Sequence, residues 1–275
     1  MGVLDDKVAI VTGSARGIGR ATAELLSSQG AKVLINDLDA DVAQQTADEI
    51  DGETVVYGGD LTADGAPDEL IKTAIDAFGK IDIIVNNAGY TLDAPIHKMS
   101  DEWFQRMLDI HSIVPFRMCR AVAPHMREPA KKEREEGREV FRKIVNDSST
   151  SGTFGNAGQA NYSSGKAGVV GLTKTIAKEW GQFKVHVNAV AFGFIDTRLT
   201  QAKVDENVMQ KDGETIQLGI PEQMRQMASV LIPLGRPATP EEAAGGIFFL
   251  CSPWSNYVHG QTLHVTGGMF GGMSG

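Results

Sequence analysis

The sequence has few cysteines and no excess of positive charge. Only two of its 275 residues are cysteine, Cys119 and Cys251, and each lies within an apolar helical pattern. Two such thiols imply no disulfide framework and are typical of small buried side chains in a reducing compartment. Lysine and arginine number 26 against 35 aspartate and glutamate residues, which gives a formal net charge of −9. This charge disfavours nucleic acid as a partner, because binding to phosphates requires a basic surface.

Long hydrophobic runs are also absent from the amino terminus. The first ten residues, MGVLDDKVAI, place two acidic residues before a short apolar run. That run is too short and wrongly flanked for a signal peptide, and it is too short to span a membrane. We therefore expect a cytoplasmic protein without membrane contact, and we expect no metal site.

Short runs rich in valine and isoleucine alternate with segments of helical period. This alternation predicts parallel strands that are buried on both faces and joined by right-handed helical crossovers. The length suits one continuous core, so we expect a single α/β domain over residues 1–275, with a doubly wound parallel sheet of seven strands. The predicted strands are residues 7–12, 31–36, 53–58, 81–85, 142–147, 184–190 and 261–265.

A run of mixed charge at residues 127–143 interrupts this alternation. Oppositely charged residues stand four apart in it, a spacing that stabilises a helix through neighbouring side chains. We interpret the run as a solvated, charged helical insertion. The predicted ion pairs are Glu128 with Lys132 and Glu139 with Lys143.

A second interruption, at residues 198–236, follows a late strand and ends near two prolines. An insertion of this length in a compact domain is typical of a mobile lid over a binding site. Apolar side chains between its charged residues predict an apolar underside for this substrate lid. They are Val204, Val208, Met209, Ile216, Met224 and Met227.

A glycine-rich turn, TGSARGIG at residues 12–19, follows the first predicted strand and opens a helix. Its glycines, Gly13, Gly17 and Gly19, let the backbone approach a pyrophosphate. The free N–H groups and the dipole of the helix favour the negative charge of that ligand. Glycine triplets also occur in turns that bind nothing, so the motif indicates a dinucleotide site only together with other signals.

Asp37 supplies such a signal, because it closes the second predicted strand eighteen positions after Gly19. An acidic side chain there would bond the ribose hydroxyls of an adenosine and would repel a 2′-phosphate. The pattern favours NAD(H) over NADP(H), although Arg16 offers a charge that could bind a 2′-phosphate. The alternative is that Asp37 only caps the following helix.

Two further turns carry small or amide side chains suited to a flat cofactor. They follow the third and fourth predicted strands, where residues of this kind are also ordinary turn formers. Their residues are Asp60 and Leu61 in the first turn and Asn86, Asn87, Ala88 and Gly89 in the second.

The segment at residues 148–168 runs from the fifth predicted strand into a helix and contains the candidate catalytic group. Tyr162 and Lys166 stand four apart, so they project from one helix face. A neighbouring ammonium lowers the pKa of a phenol, which predicts that Tyr162 exchanges protons near neutral pH. Ser149 could then bond the substrate oxygen and stabilise its developing charge. The alternative is a surface pair beside a capping serine.

Ligands of a doubly wound sheet bind beyond the carboxyl ends of the strands. The glycine turn, Asp37, Asp60, the NNAG turn, Ser149 and the AFGFIDT turn at residues 191–197 all fall at those ends. We therefore expect them to form one site.

These motifs, with VNAVAFGFIDT at residues 187–197 and HVTGG near the end, resemble the short-chain dehydrogenase/reductase family. The resemblance implies a Rossmann fold and a homotetramer, with the 161–180 helix and the carboxyl tail at subunit contacts. It implies that Tyr162 is the acid and base, that Ser149 orients the carbonyl, and that Lys166 binds the nicotinamide ribose. The cofactor residues it implies are Gly13, Ser14, Arg16, Gly17, Ile18, Gly19, Asp37, Leu38, Asp60, Leu61, Asn87, Ala88, Gly89, Tyr162, Lys166, Phe192, Gly193, Ile195 and Thr197.

Two departures from the family pattern lie close to the catalytic group. His111 stands where the family usually has an asparagine that anchors a proton-carrying water, and a histidine could carry protons itself or only fill the space. Asp147 replaces a typically apolar residue before Ser148, and one hypothesis pairs it with His111.

Two other departures concern the cofactor turn and the substrate carrier. Phe192 replaces the proline that usually precedes Gly193, which predicts a looser turn or an aromatic wall. Phe183 stands where related 3-oxoacyl-(acyl-carrier-protein) reductases have a basic residue that docks the carrier protein. A coenzyme A thioester or a free ketone is then as compatible with the sequence as a carrier-bound substrate.

The sequence thus predicts an NAD(H)-dependent oxidoreductase that interconverts a ketone and a secondary alcohol. Within the family it resembles the 3-oxoacyl-(acyl-carrier-protein) reductases most, so the expected substrate is a 3-oxoacyl or 3-hydroxyacyl thioester. A dehydrogenase of a steroid, sugar or cyclic alcohol is the nearer alternative. A non-catalytic dinucleotide sensor is the more distant one, and the intact Ser149, Tyr162 and Lys166 argue against it.

Overall fold

Seven parallel strands form the central sheet of the protein. The computed structural model describes residues 2–202, 207–211 and 213–269. The strands lie in the order β3-β2-β1-β4-β5-β6-β9, which is a doubly wound Rossmann sheet. All seven predicted strands are therefore confirmed. They are β1 (Val8–Val11), β2 (Lys32–Asp37), β3 (Thr54–Gly58), β4 (Ile83–Asn86), β5 (Arg142–Ser149), β6 (Val185–Phe192) and β9 (Thr262–Val265).

Helices cover both faces of this sheet. Side chains alternate along each strand, so Ile84 packs in the core on one face while Ile83 and Val85 pack in the core on the other. Both cores are apolar because every crossover returns a helix onto the sheet. The helices are α1 (Gly17–Ser28), α2 (Ala40–Glu49), α3 (Ala66–Phe78), α4 (Asp101–Leu108), α5 (Val114–Glu135), α6 (Thr150–Phe154), α7 (Ala160–Trp180), α8 (Glu222–Leu231) and α9 (Pro240–Cys251).

No helix within the described ranges is both long enough and apolar enough to cross a bilayer. Cys119 and Cys251 are buried free thiols within α5 and α9, as the sequence predicts.

The charged segment at residues 127–143 is helical only in its first half. Helix α5 ends at Glu135, and strand β5 begins at Arg142. The predicted pair between Glu139 and Lys143 does not form, because both residues lie beyond the helix. Instead, Glu139 contacts Lys184 at 2.8 Å. The Lys143 ammonium donates to the Asn256 side chain at 2.8 Å, with its own side chain buried.

Glu133 gives this extension a structural role that its polar sequence does not reveal. Its carboxylate accepts two hydrogen bonds from the Arg142 guanidinium, at 2.7 and 2.9 Å. Only 8% of the Arg142 side chain and 13% of the Glu133 side chain are exposed. The pair therefore joins the end of α5 to the start of the strand that leads to the candidate site.

We expect Glu133→Gln to lower the free energy of unfolding by about 2 kcal/mol, since it leaves a nearly buried guanidinium without its counter-charge. Chemical denaturation at neutral pH measures this loss. The bonds from Arg142 lower the pKa of Glu133, so the stabilisation is present above the unfolded pKa of a glutamate and is lost as the pH falls through the folded one.

The control is Glu128→Gln, because the ion pair of Glu128 with Arg127 is exposed. That change should cost less than about 0.5 kcal/mol. Equal losses in the two variants would contradict a structural role for the Glu133 pair.

The predicted lid contains an antiparallel hairpin followed by a helix. Strands β7 (Val208–Lys211) and β8 (Glu214–Gln217) pair with each other, and α8 follows them. The hairpin buries Ile216, and Met209 packs against the same core. Met227 is more than half exposed, so the apolar underside belongs to the hairpin rather than to all of the predicted set. Val204 lies outside the described residues, and Val208 is half-buried.

Candidate active site

The glycine turn joins β1 to α1 in the conformation that a phosphate-binding loop requires. Gly13 and Gly17 have φ angles of 63° and 56°, which side-chain-bearing residues rarely adopt. A Cβ atom on Gly19 would lie 2.2 Å from the carbonyl oxygen of Gly13, so only glycine fits there. Helix α1 begins without a side-chain cap and without an acidic residue in its first turn. Its amino-terminal N–H groups therefore suit an anion such as a pyrophosphate.

The NNAG turn after β4 is tied to this loop. The Asn87 side-chain amide donates to the carbonyl oxygens of Thr12 and Gly13 at 2.8 and 3.0 Å. In return, the Thr12 hydroxyl accepts the N–H groups of Asn87 and Ala88, each at 3.0 Å. Asn87 thus holds the loop in shape, which is a structural use of a residue expected to contact the cofactor.

Asp37 lies at the end of β2 with its carboxylate facing the same loop. It accepts the N–H groups of Ala15 at 3.1 Å and of Asp39 at 3.3 Å. Burial raises the pKa of Asp37, and these two N–H groups act in the opposite direction. Asp37 does not cap α2, because the N-cap of that helix is Asp39. The Arg16 guanidinium contacts the Asp39 carboxylate at 3.1 Å, so it is already paired.

Asp60 is also paired within the protein. Its carboxylate forms an ion pair with the ammonium of Lys211, which comes from the lid hairpin. It also accepts the N–H and the hydroxyl of Thr62, at 2.9 and 2.8 Å. Together these bonds lower the pKa of Asp60 against the opposing effect of burial. A ligand that reaches this carboxylate therefore meets the lid as well.

A cleft of about 570 Å³ connects these features and lies between the strand ends and the lid hairpin. Its size is within the range of small-molecule sites. The predicted residues that line it are Gly13, Arg16, Gly17, Ile18, Gly19, Asp37, Leu38, Asp60, Leu61, Asn87, Ala88, Gly89, His111, Tyr162, Lys166 and Thr197.

The other predicted cofactor residues are not among those that line the cleft. The Ser14 hydroxyl is buried and donates to the Val11 carbonyl oxygen at 2.7 Å. Phe192 and Ile195 are buried in the core between the sheet and α1 and α9, and the Gly193 N–H bonds the Val265 carbonyl oxygen at 2.9 Å. Phe192 therefore packs in the core and does not form an aromatic wall of the cleft.

Tyr162 and Lys166 line the cleft, and Ser149 lies close to Tyr162 at the end of β5. Ser149 ends β5, and its hydroxyl accepts the Ser151 N–H at 3.1 Å as the cap of α6. It also interacts with the Tyr162 phenol, since a side-chain hydrogen bond to Ser149 lowers the pKa of that phenol. The Lys166 ammonium lies 5.7 Å from the centre of the Tyr162 ring. The three residues that the sequence singles out are thus brought together.

The pKa of Tyr162 is raised, which is opposite to the direction that the sequence predicts. The largest cause is burial, which penalises a phenolate. The Lys166 ammonium lowers the pKa as expected, but the nearby Asp147 carboxylate raises it again. Tyr162 accordingly carries its proton at neutral pH.

Asp147 pairs with Lys166 and not with His111. The Lys166 ammonium lies 3.3 Å from the Asp147 carboxylate and donates to its backbone carbonyl oxygen at 2.9 Å. The Asp147 Oδ1 atom and the His111 Nδ1 atom are both buried without a hydrogen-bond partner, which excludes a bond between them. The hypothesis of an Asp147–His111 pair is therefore wrong, because the stronger partner for a buried carboxylate is the ammonium.

His111 lies in a π-helical turn, Asp109–Ile113, between α4 and α5. Its Nε2 atom lies 2.8 Å from the Tyr90 carbonyl oxygen, and this nitrogen must carry the proton because a carbonyl only accepts. Burial and the Lys166 charge hold the pKa of His111 well below its usual range, so the ring is neutral. It packs edge-on against Tyr162 with 4.8 Å between ring centres. The space-filling interpretation therefore describes His111 better than a protonated carrier.

A chain of buried polar side chains runs beneath the catalytic group. The Asn86 amide donates to Asn146 at 2.8 Å, and the Asn146 amide donates to the Thr173 hydroxyl at 2.9 Å. In addition, the Ser148 hydroxyl donates to the Lys166 carbonyl oxygen at 2.8 Å. These bonds link β4, β5 and α7, the element that carries Tyr162 and Lys166.

The sequence predicts a lid over the site, and Val208 and Met209 of that lid do line the cleft, but it does not predict that the lid contains a hairpin. The hairpin reaches the Asp60 carboxylate through Lys211. The apolar alternation in the lid could have indicated a strand pair, but the position of that pair depends on contacts distant in sequence. The lid residues that line the cleft are Arg198, Leu199, Val208, Met209, Gln210, Lys211 and Leu218.

Phe183 lies far from the cleft and is covered by α5. The guanidinium groups of Arg127 and Arg134 lie 5.0 and 5.9 Å from the centre of its ring. The two guanidinium groups thus place positive charge beside Phe183, the position at which a basic residue was expected from the family pattern.

Comparison with known proteins shows the family of the chain. Residues 13–270 match the family described as Enoyl-(Acyl carrier protein) reductase. The chain is 38% identical to the 3-oxoacyl-[acyl-carrier-protein] reductase FabG of Vibrio cholerae, over 97% of this chain and 98% of the relative. It is 40% identical to the 3-oxoacyl-[acyl-carrier-protein] reductase of Synechocystis, over 98% of this chain and 99% of the relative. The chain therefore belongs to the short-chain dehydrogenase/reductase family of oxidoreductases.

Proposed function

We propose that this protein reduces a 3-oxoacyl thioester to the 3-hydroxyacyl thioester, with NADH as its preferred cofactor. The observation that carries the proposal is that Tyr162 and Lys166 line one cleft with the glycine loop, with Ser149 at the end of the strand beside them. Relatives named as 3-oxoacyl-[acyl-carrier-protein] reductases support the choice of substrate.

The bound nicotinamide would supply a hydride to the carbonyl carbon. Tyr162 donates the phenolic proton to the carbonyl oxygen, so hydride and proton together convert the ketone to an alcohol. Ser149 donates a hydrogen bond to the same oxygen and stabilises its developing charge. Lys166 holds a positive charge next to the phenolate that remains, until water returns the proton.

The preference for NADH rests on the charges at the end of β2. Asp37 presents a carboxylate where the ribose of the adenosine half would lie. Arg16 is paired with Asp39 and would have to leave that partner in order to bind a 2′-phosphate. The repulsion between Asp37 and a 2′-phosphate is therefore not compensated by a free cation from Arg16.

A substrate panel tests the proposal directly. Purified protein is assayed with NADH and NADPH against 3-oxoacyl thioesters, enoyl thioesters, a steroid ketone and simple cyclic ketones. We expect the highest kcat/KM with NADH and a 3-oxoacyl thioester. Turnover of only the steroid or cyclic ketones would support the alternative dehydrogenase, and cofactor binding without any turnover would support a sensor.

Arg127 and Arg134 make the nature of the acyl carrier testable. An acyl carrier protein is acidic, and rim charges of this kind act mainly on association. Changing both to glutamate should raise KM for a carrier-bound substrate about tenfold and leave KM for the coenzyme A thioester nearly unchanged.

The matched control is Lys72→Glu, which reverses an exposed charge on α3. It should change neither KM. If the double variant leaves the carrier-bound KM unchanged, the surface around Phe183 does not receive a carrier protein.

We also propose a homotetramer in which α7 lies at a subunit contact, as in the family. The measurement is sedimentation equilibrium. The carboxyl tail, residues 267–275, is expected at a second contact, and residues 270–275 of it lie outside the described residues.

A further inference from the structure

A buried carboxylate in contact with the catalytic lysine is the feature of this site that the proposed reaction does not use. Asp147 lies near the end of β5, two residues before Ser149, and its side chain is 13% exposed. It lines the cleft together with Tyr162 and Lys166. Its Oδ2 atom is 3.3 Å from the Lys166 ammonium, and its Oδ1 atom has no partner.

We propose that Asp147 is a positioning residue that sets the protonation state of the catalytic pair: it holds the Lys166 ammonium and offsets its charge. Tyr162 then keeps its proton in the neutral range, and the site favours proton donation to a carbonyl over proton removal from an alcohol. The inference rests on the proposed function.

Asp147 keeps the Lys166 ammonium in a fixed position. Lys166 makes two contacts with Asp147, one to the carboxylate and one to the backbone carbonyl oxygen. A lysine side chain has four flexible carbon–carbon bonds, so a fixed partner is needed to keep the charge in one place. The carboxylate and the backbone of a single residue provide that partner.

Charges of opposite sign surround the Tyr162 phenol. The groups that face the pair are Lys166 from α7, Asp147 from β5, the neutral His111 ring from the π-turn, and the more weakly acting Asp93 from the loop after β4. Lys166 lowers the pKa of Tyr162, whereas Asp147 raises it. A cation and an anion in contact with each other largely cancel at a third group, and burial then decides the direction.

The protonation state of Asp147 also depends on its surroundings. Burial raises the pKa of Asp147 to about 6, with Lys166 acting in the opposite direction. Its folded pKa is thus above that of a free aspartate, so the carboxyl gains its proton as the pH falls through about 6. The Lys166 charge is then no longer offset by a neighbouring carboxylate.

The test replaces the charge while keeping the shape. In Asp147→Asn, the ultraviolet tyrosinate titration of Tyr162, obtained by subtracting the curve of Tyr162→Phe, should move to lower pH by about one unit. The alkaline rise of kcat for alcohol oxidation should move with it, while KM for the cofactor stays within about twofold. A merely structural role would not move either curve.

Two further variants make the result decisive. Asp93→Asn removes the carboxylate that acts more weakly on Tyr162, so it should move the Tyr162 titration clearly less than Asp147→Asn does. Asp147→Val gives the position an apolar side chain and carries the same measurement if the asparagine variant does not fold. An unmoved Tyr162 titration in a folded Asp147 variant overturns the inference.

The titration does not depend on turnover, so the two proposals fail separately. If the substrate panel shows no reductase activity but the tyrosinate band still shifts, the proposed function fails and the charge relation stands. If turnover requires Tyr162 but no Asp147 variant shifts its titration or the pH profile, only the inference about Asp147 fails.

Discussion

Replacing Tyr162 by phenylalanine should reduce kcat about a thousandfold, because it removes the proton donor of the proposed reaction. The change deletes one hydroxyl oxygen and keeps the ring that packs against His111. The cofactor cleft should therefore remain intact. Steady-state kinetics with a 3-oxoacyl thioester measures the loss, and titration calorimetry with NADH checks that binding persists.

The wild-type pH profile adds a second measurement to this prediction. Because burial raises the pKa of Tyr162, reduction should continue from neutral into alkaline pH and decline only when the phenol ionises. The control is Tyr257→Phe, since Tyr257 is fully exposed. Turnover in Tyr162→Phe at the rate of the Tyr257 variant would contradict the assigned role.

Replacing Asp37 by serine should change the cofactor preference, and this is the second largest effect on kcat/KM that we expect. Loss of charge-assisted bonds to the ribose should lower kcat/KM for NADH by about tenfold to a hundredfold. Removal of the negative charge should at the same time raise kcat/KM for NADPH. Serine retains an oxygen that can still accept the Ala15 N–H, which limits distortion of the loop.

The comparison of kcat/KM for the two cofactors, in the same preparation, measures this change. Asp41→Ser is the matched control, because Asp41 is exposed in the first turn of α2 and follows Asp37 by four residues. A wild-type preference for NADPH that survives the Asp37 substitution unchanged would overturn the proposed cofactor.

Local sequence patterns were sufficient to predict the central sheet and the glycine turn after β1. Strands such as β1 and β4 are short apolar runs bounded by turn residues, and their burial follows from that composition. Gly13, Gly17 and Gly19 could be read from spacing alone, because their backbone conformation depends on the turn in which they stand.

The electrostatics of the site could not be read in the same way. Lys166 and Asp147 come from different elements, and whether an aspartate meets a histidine or a lysine depends on how α7 packs on β5. The sign of the Tyr162 shift depends on burial, which competes with the neighbouring charges. The hairpin that brings Lys211 to Asp60 is likewise a long-range contact.

The buried link from Asn86 through Asn146 to Thr173 constrains how α7 can sit on the sheet. A helix held by apolar contacts alone can shift along its axis at a modest cost in free energy, because such contacts have no preferred direction. A slip of one residue would rotate α7 by about 100° and would leave the Asn146 amide facing no acceptor inside the protein. Other registers of α7 are thereby disfavoured, so two amide hydrogen bonds in the interior help to fix where the Tyr162 hydroxyl stands.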